Sequence, residues 1–207
     1  DLKGYRPIFR FKTLADGMRF LNKNINTRWN SLRKLLINIY EVWYSNDYYF
    51  DEENEYFCSV DGVIYTKDMK TVVFFPPAKE GEYKVADTVE TIRTKAFYKC
   101  TKVTKITLPD TVKAIEEKAF FRCEAITEIN LPNALTLIGK DAFSYCYGLT
   151  TITIPASVTR IDEYAFYNCT NLLTVDMLAK ESDMTLGEKW YPTNNGLDID
   201  GLKINWK

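Results

Sequence analysis

The sequence contains no histidine. This absence excludes Ser-His-Asp and Cys-His catalysis, histidine-ligated zinc and the usual general base near neutral pH. An enzyme built from this chain would depend on carboxylates, lysine, tyrosine or a cofactor, and the sequence shows no glycine-rich phosphate loop, nucleophile elbow or metal-ligand cluster. We therefore expect a protein that is not an enzyme and that uses no cofactor.

Long apolar runs and a net charge are also lacking. No stretch of about 18 apolar residues occurs, so no transmembrane segment is expected in this chain. The 27 lysines and arginines nearly balance 28 aspartates and glutamates, so nucleic acid is not an expected partner, and neither is an anionic membrane surface. Asp1 is not followed by a basic and then an apolar segment, so we expect no signal peptide within the chain.

What the sequence does contain is an internal repeat of 23 residues, visible as KAFYKC, KAFFRC, DAFSYC and YAFYNC. A fixed period of this length predicts stacked coils. In each coil a segment such as TKITLP alternates apolar and polar residues, the pattern of a half-buried strand. The following segments, EEKAF, GKDAF and DEYAF, favour one helical or 3₁₀ turn. Stacking pairs equivalent strands in parallel and makes each apolar position a buried column. The predicted structural columns are Phe97, Phe120, Phe143 and Phe166, and Cys100, Cys123, Cys146 and Cys169.

The cysteines are interpreted as packing residues, because a buried free cysteine behaves as a small hydrophobe. One thiol per coil does not resemble the close CxxC pairs of a zinc site, so no metal is expected there. Neighbouring coils would bring Cα atoms within disulfide range, so vertical disulfides remain an alternative to reduced thiols. Cys58 lies off the period and makes the count five, which leaves at least one thiol free in a single chain.

Three segments, LPDTVKAIEEKAFFRCEAITEI, LPNALTLIGKDAFSYCYGLTTI and IPASVTRIDEYAFYNCTNLLTV, resemble the BspA-like leucine-rich repeat, whose pattern runs LPxxVxxIxxxAFxxCxxLxxIxIP. The resemblance extends from Val85 to about Val175. Residues 60–77 resemble the hairpin that often precedes the first repeat of this family. The resemblance implies a bacterial protein, found outside the cell or on its surface after removal of its signal peptide, that binds host proteins, glycans or other cells.

These patterns together predict an α/β solenoid: a right-handed coil of about four 23-residue repeats, with a helical and hairpin cap before it and a β cap after it. The expected divisions are residues 1–57, a helical cap or separate small domain; 58–82, a hairpin; 83–175, the repeats; and 176–207, the C-terminal cap. Apolar spacing of three and four predicts a helix over residues 27–44, and a capping box begins a shorter one near 14–24. Asn-Gly and Asp-Gly pairs predict tight turns in the last segment.

Two oxygen-rich turns, DEEN at 51–54 and DIDG at 198–201, lack the regular ligand spacing of a calcium loop. We interpret both as solvated turns, so the sequence predicts no metal site.

Alternation in the strands predicts an exposed polar face with two columns. Opposite charges one coil apart favour register through cross-strand pairs, and the same face is the candidate binding surface, as concave solenoid faces often are. A second candidate surface consists of the aromatic residues beside the cysteines: Tyr98, Phe121, Tyr145, Tyr147 and Tyr167. The candidate binding residues of the strand face are Glu82, Lys84, Lys105, Thr107, Glu128, Asn130, Thr151 and Thr153.

Two hypotheses of function follow. The first is a non-enzymatic extracellular module that binds a host protein, a glycan or another ligand on a host or neighbouring cell, in the manner of an adhesin. The alternative is a passive spacer or cap within a larger surface protein, with no ligand of its own.

Overall fold

A computed structural model describes residues 54–207 of the chain. The helices predicted over 14–24 and 27–44, and all but the end of the segment 1–57, lie outside the described residues. Residues 54–207 form a β-solenoid of about five turns. Its strands are β1 (Phe57–Val60), β2 (Val63–Thr66), β3 (Thr71–Phe74), β4 (Gly81–Lys84), β5 (Thr91–Ile92), β6 (Val103–Thr107), β7 (Ala114–Ile115), β8 (Glu128–Asn130), β9 (Leu137–Ile138), β10 (Thr151–Ile154), β11 (Arg160–Ile161), β12 (Thr174–Met177), β13 (Thr185–Leu186), β14 (Thr193–Asn194), β15 (Leu197–Asp198) and β16 (Lys203–Trp206).

Each coil contributes one strand to each of two sides. One side is an eight-stranded sheet in the order β1-β2-β3-β5-β7-β9-β11-β13, antiparallel among the first three strands and parallel from β3 onward. The other side consists of two parallel three-stranded sheets, β4-β6-β8 and β10-β12-β16. We call this second side the strand face. The parallel pairing of successive coils confirms the stacking that the 23-residue period predicts.

The expectation of an α/β fold is wrong for the described residues. Their one helical element is a single 3₁₀ turn at Glu181–Asp183, and the Ala-Phe segments form successive turns instead. In the first of these, Lys95 and Lys99 have φ of 61° and 59°. The backbone N–H groups of this segment alternate between two kinds of acceptor. That of Ala96 donates to the Arg93 carbonyl within its own turn, and that of Phe97 donates to the Ala119 carbonyl of the next coil. A helix would satisfy all these donors internally, whereas here every second one bonds the coils together.

The predicted phenylalanine column runs through the centre of the solenoid. The rings of Phe97, Phe120, Phe143 and Phe166 are fully buried and stack with centroid separations of 4.9, 5.1 and 5.3 Å. Phe75, which belongs to no Ala-Phe motif, extends the column at 4.6 Å from Phe97. It supplies the same packing to an additional first coil.

The cysteine column is buried and all its thiols are free. Each thiol donates to the carbonyl of the column phenylalanine one coil earlier, as Cys123 does to Phe97 at 2.9 Å and Cys169 to Phe143 at 2.9 Å. The same carbonyls accept the turn N–H of their own coil. Cysteine is therefore both a packing residue and a hydrogen-bond donor, and burial raises the pKa of the Cys123 and Cys146 thiols.

Both ends of the described solenoid are covered by β structure. The hairpin expected within residues 60–77 is present as β2 and β3, and β1 adds a third antiparallel strand. At the other end β16 pairs in parallel with β12, and Trp206 lies 6.2 Å from Trp190 between ring centroids. The expected Asn-Gly turn joins β14 to β15, with Asn195 and Gly196 at φ 49° and 79°, both in the region that such hairpin turns require.

Candidate binding surfaces

The first predicted column of the strand face lies in register across neighbouring strands. Glu82 of β4 pairs with Lys105 of β6, and Lys105 pairs with Glu128 of β8. The Lys105 ammonium lies 2.8 Å from the Glu128 carboxylate, and its hydrogen bond to that carboxylate raises the pKa of Lys105. Thr151 follows Glu128 by one 23-residue period and pairs with Thr174 of β12 in the second sheet of the strand face. The column is thus a row of alternating charges that continues into hydroxyl groups.

The second column contains Lys84, Thr107, Asn130 and Thr153. Its members differ in availability. The Asn130 side chain accepts from the N–H of Leu108 at 3.1 Å and donates to the carbonyl of the same residue at 3.0 Å, so it holds two coils together. Lys84 lies 2.9 Å from the Asp87 carboxylate at an exposed position. Thr153 is exposed and offers its hydroxyl to solvent.

The strand face extends beyond the predicted residues. Strand β16 aligns Lys203 with Thr174 and Asn205 with Asp176, and the Asn205 amide donates to the Asp176 carboxylate at 2.7 Å. The repeat gave no indication of this, because Lys203 follows Thr174 at a spacing that is not the 23-residue period. Alternation in KINW was the one available signal.

The second candidate surface is a row of half-buried rings, here called the aromatic strip: Tyr98, Phe121, Tyr145, Tyr147, Tyr164 and Tyr167. Tyr98 and Phe121 stack nearly parallel, 5.2 Å apart at 8°. From Phe121 onward the stack breaks, because Tyr145 is turned by 66° from Phe121 and by 70° from Tyr167. The Arg122 guanidinium lies 4.8 Å from the Tyr145 centroid, a cation–π contact that helps to fix this ring.

Where the stack breaks, the strip borders a cavity of about 540 Å³, which we call the aromatic cleft. Strip residues Phe121, Tyr145, Tyr164 and Tyr167 form part of its lining. Sequence reasoning missed Tyr164 and the contribution of the C-terminal hairpin, because neither follows from the repeat. The remaining lining residues are Asp141, Lys189, Asn195, Gly196 and Leu197.

A second cavity, of about 580 Å³, lies at the start of the strand face and includes Glu82 and Tyr83 in its lining. The Tyr83 hydroxyl is 2.6 Å from that of Tyr65, and burial is the main cause of the raised pKa of Tyr83. This cavity adjoins the first charged column.

The described part of the chain contains no group of three or more histidine, cysteine, aspartate or glutamate side chains placed to hold a metal ion. The Asp198 carboxylate of the DIDG turn accepts a hydrogen bond from the Tyr191 hydroxyl at 3.0 Å. Residues 51–53 of the DEEN turn lie outside the described residues. No helix within residues 54–207 is long and apolar enough to cross a membrane.

Residues 81–189, just over half of the chain, match six copies of the family described as BspA type leucine-rich repeat region. The chain belongs to this family. The six copies exceed the four repeats that the sequence motif predicts. No curated protein matches the sequence.

Several solved structures share the fold, among them leucine-rich repeat proteins. Pneumococcal vaccine antigen PcpA has a TM-score of 0.58 at 18% identity, over 78% of this chain and 50% of PcpA. A leucine-rich cell surface protein of Faecalibacterium prausnitzii has a TM-score of 0.58 at 24% identity, over 66% of this chain and 40% of its own. A leucine-rich repeat protein of Bacteroides ovatus has a TM-score of 0.52 at 32% identity, over 64% of this chain and 34% of its own. The chain therefore spans half or less of each of these proteins.

Proposed function

We propose that this BspA-type solenoid is a non-enzymatic interaction module that works outside the cell or at its surface and binds a protein or glycan on a host or neighbouring cell. The observation that carries the proposal is the strand face. Its two three-stranded sheets, β4-β6-β8 and β10-β12-β16, each align their outward side chains in columns. Extended polar faces of this kind are the usual binding surfaces of solenoid proteins.

One property of the face favours binding over a purely structural role. Glu82, Lys84 and Glu128 are exposed, and ion pairs with Asp87 and Lys105 hold Lys84 and Glu128 in place. The face therefore presents charges of both signs in fixed positions, which supports specificity and the rate of association. The surface location is supported by the named cell surface protein and vaccine antigen that share the fold.

The test is a binding screen of the purified chain against extracellular matrix proteins and a glycan panel, at low and at high salt. The decisive variant is E82K/K105E/E128K. Reversing all three charges keeps opposite signs adjacent, so Lys105 and Glu128 exchange roles and the ion pair is retained. A saturable ligand of the wild-type chain should lose affinity by about tenfold or more in this variant and at high salt.

The matched control is K70E/E90K/K113E. This triad also alternates in sign across three coils, with Lys70 and Lys113 at 2.8 and 2.7 Å from the Glu90 carboxylate, but it lies beside the eight-stranded sheet. Binding should survive in the control. Absence of any saturable ligand, or equal loss in both variants, would contradict the proposal and favour a spacer without a ligand.

A further inference from the structure

The aromatic cleft has the composition of a small-ligand site and lies apart from the strand face. Its volume of about 540 Å³ is within the range of small-molecule sites, about 300–1,000 Å³, and the cleft is open to solvent on one side. Such pockets are lined mainly by aromatic side chains with a few polar groups that orient the ligand. Four aromatic rings and the polar groups of Asp141, Lys189 and Asn195 provide this combination.

The tyrosine rings of the cleft meet edge to face, so they do not cover one another. Tyr164 and Tyr167 meet at 80°, and Tyr145 and Tyr167 at 70°, so their faces do not cover each other as those of Tyr98 and Phe121 do. Gly196 at the hairpin tip allows a close approach to Tyr167, because a Cβ at this position would lie 3.3 Å from the Tyr167 hydroxyl oxygen. The cleft therefore exists because the C-terminal hairpin returns to the repeat coils at this point.

The two charged side chains of the cleft, Asp141 and Lys189, are opposite in sign, and each has a polar partner within the protein. The Asp141 carboxylate lies 3.2 Å from the Lys118 ammonium and accepts from the Ser144 hydroxyl at 2.9 Å. The Lys189 ammonium donates to the Gly196 carbonyl at 3.0 Å. The lining thus holds one carboxylate and one ammonium, whose charges cancel in sum, so the cleft does not favour a strongly anionic or a strongly cationic partner.

The polar groups left for a ligand include three tyrosine hydroxyls. Within residues 54–207 the hydroxyls of Tyr145, Tyr164 and Tyr167 make no hydrogen bond to protein, unlike that of Tyr191. The N–H groups of Tyr145 and Tyr167 are already used in bonds of 2.8 and 3.0 Å to backbone carbonyls. An extended peptide, which is recognised chiefly through backbone pairing, would therefore find few free donors here.

From these features we propose that the aromatic cleft binds a neutral oligosaccharide. A pyranose ring carries C–H groups on its faces and hydroxyls at its rim. The faces pack on the tyrosine rings, whose bodies are apolar, and the rim hydroxyls exchange hydrogen bonds with the tyrosine hydroxyls, the Asp141 carboxylate and the Asn195 amide. This site is separate from the strand face, and each can fail without the other.

The experiment uses the whole chain and neutral β-linked hexasaccharides of glucose, N-acetylglucosamine and galactose, with binding measured by calorimetry and by saturation-transfer NMR. An acidic hexasaccharide and a proline-rich peptide are the comparison ligands. We expect saturable binding of at least one neutral hexasaccharide, with transfer to its ring C–H protons. Because the ligand is uncharged, its affinity should not change between low and high salt, in contrast to a ligand of the strand face.

Tyr145→Ala should weaken binding by about tenfold, the effect expected when one stacking ring is removed. Tyr167→Phe keeps the ring and removes only the hydroxyl, so it tests recognition in a variant with little risk to folding. The matched control is Tyr98→Ala, which removes a ring of the same strip that stacks on Phe121 outside the cleft. The proposal is overturned if no neutral hexasaccharide binds, if only a comparison ligand binds, or if Tyr98→Ala weakens binding as much as Tyr145→Ala.

Discussion

Phe120 and Phe121 provide a matched test of what stabilises the solenoid. They are adjacent in one coil, and each contacts a ring of the coil before and of the coil after. The centroid distances are 4.9 and 5.1 Å for Phe120 and 5.2 and 5.3 Å for Phe121. They differ in burial: Phe120 is fully buried in the core column, whereas Phe121 is half-buried in the aromatic strip.

Replacing each with alanine should therefore separate burial from ring contact. For Phe120→Ala we expect a loss of about 3–5 kcal/mol in the free energy of unfolding, the range for a buried phenylalanine whose cavity is only partly filled by relaxation. For Phe121→Ala we expect about 1–2 kcal/mol, since part of the side chain is already in contact with water and its removal leaves no closed cavity. Both residues contact two rings at similar centroid distances, so the larger part of the difference should reflect burial.

The measurement is urea unfolding followed by far-ultraviolet circular dichroism. A loss of the first size is a large part of the total stability of a typical domain, about 5–15 kcal/mol, and Phe120→Leu provides a milder variant if Phe120→Ala fails to fold. Equal losses for Phe120→Ala and Phe121→Ala would refute the view that the central phenylalanine column is the main source of stability.

Two further predictions concern titratable groups. The four column cysteines are buried, and their thiols donate to carbonyls, so a thiol reagent at neutral pH should modify them only after unfolding. Half-buried Cys58 should react earlier. Counting modified thiols with time distinguishes the two classes of cysteine. Hydrogen bonds from Lys113 and Lys70 lower the pKa of Glu90 to about 2 from an ordinary 4.5. Because this pKa is depressed in the folded state, the stabilisation is present above about pH 4.5 and is lost as the pH falls towards 2. Urea midpoints of the wild type and Glu90→Gln should therefore differ at pH 7 and converge at pH 2, and a constant difference across this range would contradict the assignment.

The sequence predicted best those features in which a residue packs on the equivalent residue of the next coil. The Phe97 and Cys100 positions recur every 23 residues, and each repeat packs on an equivalent one, so period alone predicts the buried columns and the strand register. It was wrong about the helical turns. The alternation of hydrogen bonds within and between coils, seen at Ala96 and Phe97, depends on how close the next coil lies, which local propensity does not report.

The sequence by itself determined the repeat, its buried columns and the charged row from Glu82 to Glu128. Only the tertiary structure decided the ends and the cleft: Phe75 joins the core column without a motif, β16 extends the strand face, and Tyr164 and Gly196 line the same cleft. The physical reason is the range of the contacts. A fixed period encodes contacts between equivalent neighbours, whereas segments outside the period find their places through packing between residues with no shared pattern.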